Sequence, residues 1–438
     1  MQDYFYSLAD ALFGKLKGDE RLLLNFLGEH SDFVRLNRNK IRQAGSVVQR
    51  SMSLDLIAGQ RHAEATVDLA GDSNQDLEQL EETLNNLREQ RALLPADPYL
   101  HYATDINHSE FHHDNAVVSS YDAVEQIMQA AEGLDLVGIF ANGMQYAGFA
   151  NSLGQRNWHS SASFNFDWSC YHNKDKAVKS NYAGFSWQQA QLAEKMENVR
   201  GQLSILSRRS KAIEPGHYRA YLAPMAVSEL IDTMSWGGFG LKSHRTKSTP
   251  LIQMLEQGRT LDAVFSLSEN NARGLAPIFT SDGFLKPGHV QLIQEGRFQD
   301  CLVSARSAIE YQSKTNADAE YPGALELAAG SLPSAKILKE LDTGLFINNL
   351  WYLNFSDRNA CQITGMTRFA CFWVENGEIQ APVDVMRFDD SVYSLFGTDL
   401  LGLTEERELI LDARSYGNRS NRSIELPGAL VQAMRLTL

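Results

Sequence analysis

Cysteine is scarce in this 438-residue chain, with Cys170, Cys301, Cys361 and Cys371 only. No two form a CxxC pair, so no dense disulfide framework is expected, and the four suit reduced thiols in a cytosolic protein. Long apolar runs are absent as well. None approaches the roughly 20 residues that a bilayer-spanning helix needs, so no membrane segment is expected. The N-terminus lacks a basic stretch followed by an apolar one, the mark of a secretory signal. Together these absences lead to the expectation of a soluble, cytoplasmic protein. Positive charge is the minority: 40 Lys and Arg stand against 54 Asp and Glu, for a net charge of −14 and a sequence pI of about 5.3. The densest basic stretches, Arg35 to Arg42 and Lys242 to Lys247, are short and read as solvated faces. Nucleic acid gripped by general electrostatics needs a larger basic surface than either, so no direct nucleic-acid partner is expected. No fixed-period repeat is present.

What remains is ample apolar material, 43% of the residues, on a chain longer than one core usually serves. Residues 4–17 place Phe5, Leu8, Leu12 and Leu16 at helical spacing. Four strand-like runs follow, at 22–26, 33–36, 46–58 and 63–69. A leucine stripe (Leu77, Leu80, Leu84, Leu87) predicts a helix over 76–91. Ser119 or Ser120 can cap another that buries Tyr121, Val124, Ile127 and Met128. Asn142-Gly143, between strand-like runs at 134–141 and 144–150, predicts a hairpin. A strand at 161–168 and a long helix from Trp187 to near Leu206 complete this part. After a linker-like segment at 211–217 the sequence turns to short strands and turns, with a second Asn-Gly hairpin over 372–383. These patterns predict an α/β N-terminal domain over 1–210 and a mostly antiparallel β C-terminal domain over 211–438, α+β overall.

Motifs for chemistry are few. There is no G-x-S-x-G elbow and no P-loop order around Gly237-Gly238-Phe239-Gly240, which reads as a tight turn. His101, His108, Glu110, His112, His113 and Asp114 crowd together, and imidazoles with carboxylates are zinc-ligand types. No His-Glu dipeptide starts an H-E-x-x-H helix there, so the segment reads first as a polar loop, with His108, Glu110 and His112 as the alternative metal site.

Several segments resemble the TldD/PmbA family in the order the family uses them. They are Leu94-Pro-Ala-Asp-Pro-Tyr99, Glu214-Pro-Gly-His-Tyr-Arg-Ala-Tyr-Leu-Ala-Pro224, Phe279-Thr-Ser-Asp-Gly283 and Thr343-Gly-Leu-Phe-Ile347. Most specific is Ile363-Thr-Gly365 followed by Cys371-Phe-Trp-Val-Glu-Asn-Gly-Glu-Ile-Gln-Ala-Pro-Val383. The resemblance implies one of two related subunit types that pair into a cytosolic metallopeptidase acting on unfolded or small peptides. It also implies that zinc in the TldD type is held by H-E-x-x-x-H on the first helix of the C-terminal domain, with a cysteine near the C-terminus. The matching segment here, 222–234, offers Glu229 and Asp232 but no histidine, and no cysteine lies beyond Cys371. The chain therefore resembles the PmbA (TldE-like) type, with no catalytic residue, metal or cofactor of its own. Zinc is expected in a TldD-type partner. The other readings are a metallopeptidase in its own right with the non-family metal site at His108, Glu110 and His112, and a non-enzymatic homodimeric protein-binding module of the kind behind the label "modulator of DNA gyrase". Asn348, Asn349, Thr364 and Arg368 flank the matching motifs and are the candidates for a peptide groove in which a peptide adds a strand to a sheet edge.

Overall fold

The computed structural model describes residues 1–113, 118–173 and 176–438. In chain order the first part runs α1 (Gln2–Phe13), β1 (Arg21–Asn37), β2 (Lys40–Ala58), β3 (Arg61–Asp68), α2 (Ser73–Leu93), β4 (Ser109–His112), α3 (Ser120–Ala130), β5 (Asp135–Asn151), β6 (Arg156–Asn173), β7 (Lys176–Gly184) and α4 (Gln189–Leu206). It continues with β8 (Gly216–Leu222), α5 (Pro224–Met234), α6 (Leu241–Arg245), α7 (Ile252–Gln257), β9 (Leu267–Glu269), β10 (Val290–Gln294), β11 (Arg297–Phe298), α8 (Ala305–Glu310) and β12 (Ala324–Leu327). The last elements are α9 (Ile337–Leu341), β13 (Gly344–Asp357), β14 (Gln362–Glu375), β15 (Glu378–Pro382), β16 (Arg387–Ser391), β17 (Leu400–Leu411) and β18 (Ser423–Leu436). No helix among the described residues is long and apolar enough to cross a membrane.

The first sheet has the order β3-β2-β1-β5-β6-β4, with β7 also on β6. Helices α1 and α2 bury Phe5, Leu8, Leu12, Leu80, Leu84 and Leu87 against the β1–β3 end. Asp72 starts α2 by accepting the N–H groups of Asn74 and Gln75, both at 3.0 Å. Replacing Asp72 by alanine is expected to lower stability by about 1 kcal/mol, read as a drop in melting temperature. Helices α3 and α4 cover the other end over Phe140, Phe166 and Trp168, and Ala370 and Phe372 of β14 join the same cluster. That shared core seats the second sheet on the first.

The second sheet has eleven strands, and β8, β13, β14, β16 and β18 close a ring because β8 pairs with both β13 and β18. Pairing is antiparallel except for β8 with β13 and β12 with β18, in line with the mostly antiparallel expectation. The 376–377 turn is the expected hairpin: Asn376 and Gly377 both have positive φ (53° and 77°), joining β14 to β15.

Three local expectations are corrected. The runs at 22–26 and 33–36 are one strand, β1, since the polar residues between them lie in register with β2 and β5. Tyr121 is 75% exposed, while Val124 and Ile127 carry the packing of α3. Asn142-Gly143 is no hairpin but the middle of β5. A Cβ at Gly143 would fall 2.1 Å from the His30 carbonyl oxygen, so glycine is there for the close approach of β1. Asn142 meanwhile donates to the Val118 carbonyl and accepts from Ser120, tying the start of α3 to the strand.

Candidate functional site

Strand β8 runs into α5 through Ala223 and Pro224, with proline at the first helical position where its missing N–H costs nothing. This junction shapes the site. β8 pairs with β13 only at Leu345–Ile347, and beyond that no strand among the described residues pairs with this edge, beside which α5 packs. The open edge of β13 therefore faces a helix, and Glu229 accepts the Leu350 N–H at 2.6 Å. In front of this edge lies a cavity of about 480 Å³. It adjoins a second of about 360 Å³ over the β5–β7 face of the first sheet, and Asp167, Lys179 and the segment Leu411 to Arg414 line both. The two form one cleft between the sheets.

Its walls differ in character. One carries Leu350, Trp351, Tyr352, Leu353 and Trp236. The other carries Asp167 and Lys179 from the first sheet, Glu229 and Asp232 from α5, and Arg414 and Arg422 from the segment between β17 and β18. Burial pushes the Glu229 carboxyl up from an ordinary 4.5 to about 8; the Lys179 charge and the Leu350 N–H pull against it, and Asp167 and Asp232 add to the rise. Burial raises Asp167 too, with Lys179 opposing. Asp232 accepts from Tyr321 and from Arg422, each at 3.0 Å, and the Arg422 guanidinium lies 4.3 Å over the Tyr321 ring. Arg414 forks onto both oxygens of Asp412 at 3.0 and 2.8 Å.

The 412–422 segment crosses the cleft as a strap and is anchored in the first sheet by Arg419, which is 5% exposed. Its guanidinium donates to the Ser163 hydroxyl at 2.7 Å and the Ser163 carbonyl at 3.1 Å, with longer contacts to Ser31 and Gly143. Its backbone N–H reaches Glu29, and its carbonyl accepts from Gln145.

The donor set does not fit zinc. Among the described residues no imidazole or thiol lines the cleft, Glu229 is engaged by a backbone N–H, and Asp232 is held by Tyr321 and Arg422. A protein zinc site draws on nitrogen and sulfur donors that are missing here.

The residues singled out from sequence are dispersed. Segment 109–112 is a strand, β4, parallel to β6, not a loop. His112 meets Glu110 at 2.8 Å and Ser160 at 2.9 Å, while His108 accepts the Arg156 N–H at 3.2 Å. Asp114 lies outside the described residues. Among the described residues, the group whose ligand-type atoms lie within 4.8 Å of one another is Asp55, His62 and Glu64 on β2 and β3. Of the groove candidates, Asn348 donates to the Lys179 carbonyl at 3.0 Å and so ties β13 to the first sheet behind the cleft. Arg368 stacks 3.9 Å from the Trp351 ring on the cleft wall. Asn349 is fully buried, and Thr364 turns to Phe388 and Arg387 of β16. Sequence reasoning missed Lys179, Asp167, Arg414 and Arg422; none sits in a recognisable motif, and only folding brings them together.

The family model described as the PmbA/TldA metallopeptidase C-terminal domain matches residues 215–438, just over half of the chain. Crystal structures with the same fold include TldE from Thermococcus kodakarensis and a proposed modulator of a DNA gyrase from Thermotoga maritima. Each is 14% identical with a TM-score of 0.77, over 99% of this chain and 100% of the other. A proposed modulator of DNA gyrase from Bacteroides thetaiotaomicron is also 14% identical, with a TM-score of 0.75 over 99% of this chain and 98% of that one. No curated protein sequence matches the chain. The match over the second sheet, the agreement in fold across almost the whole length and the motif series together place this chain in the PmbA/TldD family.

Proposed function

We propose that the chain is a PmbA-type subunit that holds extended peptides in the cleft and leaves hydrolysis to a zinc-bearing TldD-type partner. The observation that carries this reading is the pairing of an open β13 edge inside a large cleft with an α5 helix that offers no zinc ligand. Strand addition at such an edge takes affinity from backbone hydrogen bonds and tolerates many sequences. Protonated near neutral pH, Glu229 can donate to a peptide carbonyl as well as accept from Leu350. Lys179 and the strap arginines suit carbonyl oxygens along the opposite wall. The protein is read as cytoplasmic and as making no direct contact with nucleic acid.

Elemental analysis of the purified protein, with peptide hydrolysis assayed alone and beside a TldD-type subunit, tests the reading. Expected are no stoichiometric metal, no hydrolysis alone, and hydrolysis on adding the partner. Stoichiometric zinc with activity lost in His108→Ala or His112→Ala would overturn it in favour of a peptidase with its own metal site at His108, Glu110 and His112. Hydrolysis by the partner that is indifferent to this chain would favour a homodimeric binding protein.

A further inference from the structure

Tyr352 on β13 and Phe369 on β14 both adopt the left-handed region, with φ of 61° and 62°. Neither is glycine, and a bulky side chain makes that conformation costly. Both sit where the β13–β14 ladder loses register, on either side of the paired residues Asn349↔Arg368 and Trp351↔Met366. The bulge leaves Tyr352 and Leu353 out of the ladder and turns Trp351 and Tyr352 outward, 42% and 80% exposed, onto the cleft wall. Strained residues of this kind cluster at binding and catalytic sites. The ring of Trp351 is fixed from behind by the Arg368 guanidinium, with Tyr352 at 5.5 Å and Phe369 at 6.3 Å between centroids. Trp236, 41% exposed at the end of α5, closes the same wall, its carbonyl held by Arg358. The core beneath these rings is filled by Leu350, Ile363 and Phe388, all fully buried.

We infer that Trp351, Tyr352 and Trp236 are a specificity rim that selects extended peptides presenting an aromatic or large aliphatic side chain. The inference rests on the peptide-cleft reading and deepens it. The rim is continuous with the β13 edge, so a strand added there places alternate side chains against the rings and the others toward the charged wall. Rigid aromatic anchors lose little freedom on binding and dominate the energetics of such contacts. An apolar side chain on the rim is therefore worth about ten- to a hundred-fold in affinity.

The test uses two fluorescein-labelled ten-residue unstructured peptides, identical except for one central Phe or Ser, with binding to the full chain followed by anisotropy. The wild type is expected to bind the Phe peptide at least tenfold more tightly. Tyr352→Gly removes the ring and relieves the left-handed backbone, so it keeps the fold, and it should bring the two affinities together. Trp351→Ala should do the same, with circular dichroism reporting its folding. Equal wild-type affinities, or discrimination that survives in Tyr352→Gly, overturns the rim while leaving the cleft reading intact. Binding of neither peptide overturns the cleft reading and the rim with it.

Discussion

Glu229→Gln should make the protein more stable at pH 8 by about 2–4 kcal/mol, and change it little at pH 4. An unfolded glutamate ionises near 4.5, whereas in the fold the carboxyl holds its proton to about 8. Below pH 4.5 both states are protonated and nothing is lost. As pH rises from there the unfolded state sheds a proton that the folded state retains, so stability falls until the folded carboxyl ionises at about 8. That gap sets a ceiling of about 5 kcal/mol at about 1.4 kcal/mol per pH unit, and relaxation around the site lowers the realised value. Glutamine cannot ionise, yet its amide oxygen still accepts the Leu350 N–H. Urea unfolding at pH 4 and pH 8 reads the difference directly; an equal effect at both would mean that the carboxyl is ionised in the fold. Peptide affinity should follow the same proton. Wild-type binding should weaken as pH passes 8, and that of Glu229→Gln should stay flat.

On the proposed peptide-cleft reading the stabilising change is also a functional one, which would explain why a buried carboxyl is tolerated at all. A carboxyl at this position costs stability at neutral pH, and in return the cleft holds a proton donor at the bare edge of β13. How much of this was legible beforehand depended on distance along the chain. The 372–383 hairpin was readable because its turn chemistry is local: two positive-φ residues between two strands. The same dipeptide at 142–143 misled because a backbone approach from β1, more than a hundred residues away in sequence, selects glycine just as strictly as a turn does. The α5 helix was recognisable, and its lack of histidine could be read directly from residues 222–234. Glu229 was visible only as an acidic residue of the matching helix, because its proton-holding character comes from burial against β13 and β7. The rim was invisible for a related reason: Trp351-Tyr352 reads as an ordinary strand until the ladder with β14 slips.

Arg419→Ala should destabilise the protein by about 3 kcal/mol or more and free the strap. The guanidinium comes from the second half of the chain and ends inside the first sheet, between β1, β5 and β6, where burial pushes it down to about 10 yet leaves it charged at pH 7. Removing it strips the buried Glu29 of its nearby positive charge and leaves the Ser163 hydroxyl without its 2.7 Å donor. The backbone contacts of Arg419 to Glu29 and Gln145 hold only while the side chain keeps the segment in place. Loss of the anchor should therefore show twice, as a fall in unfolding free energy and as faster trypsin cleavage after Arg414 and Arg422. Arg419→Lys keeps the charge but cannot fork onto the hydroxyl and carbonyl of Ser163, and should fall between the two. The strap also carries Arg414 and Arg422 into the cleft, so Arg419→Ala should weaken peptide binding although it touches no peptide. If stability falls while peptide affinity and strap cleavage stay at wild-type values, Arg419 merely supports the first sheet. If all three move together, the strap is what keeps the charged wall of the cleft facing the open edge of β13.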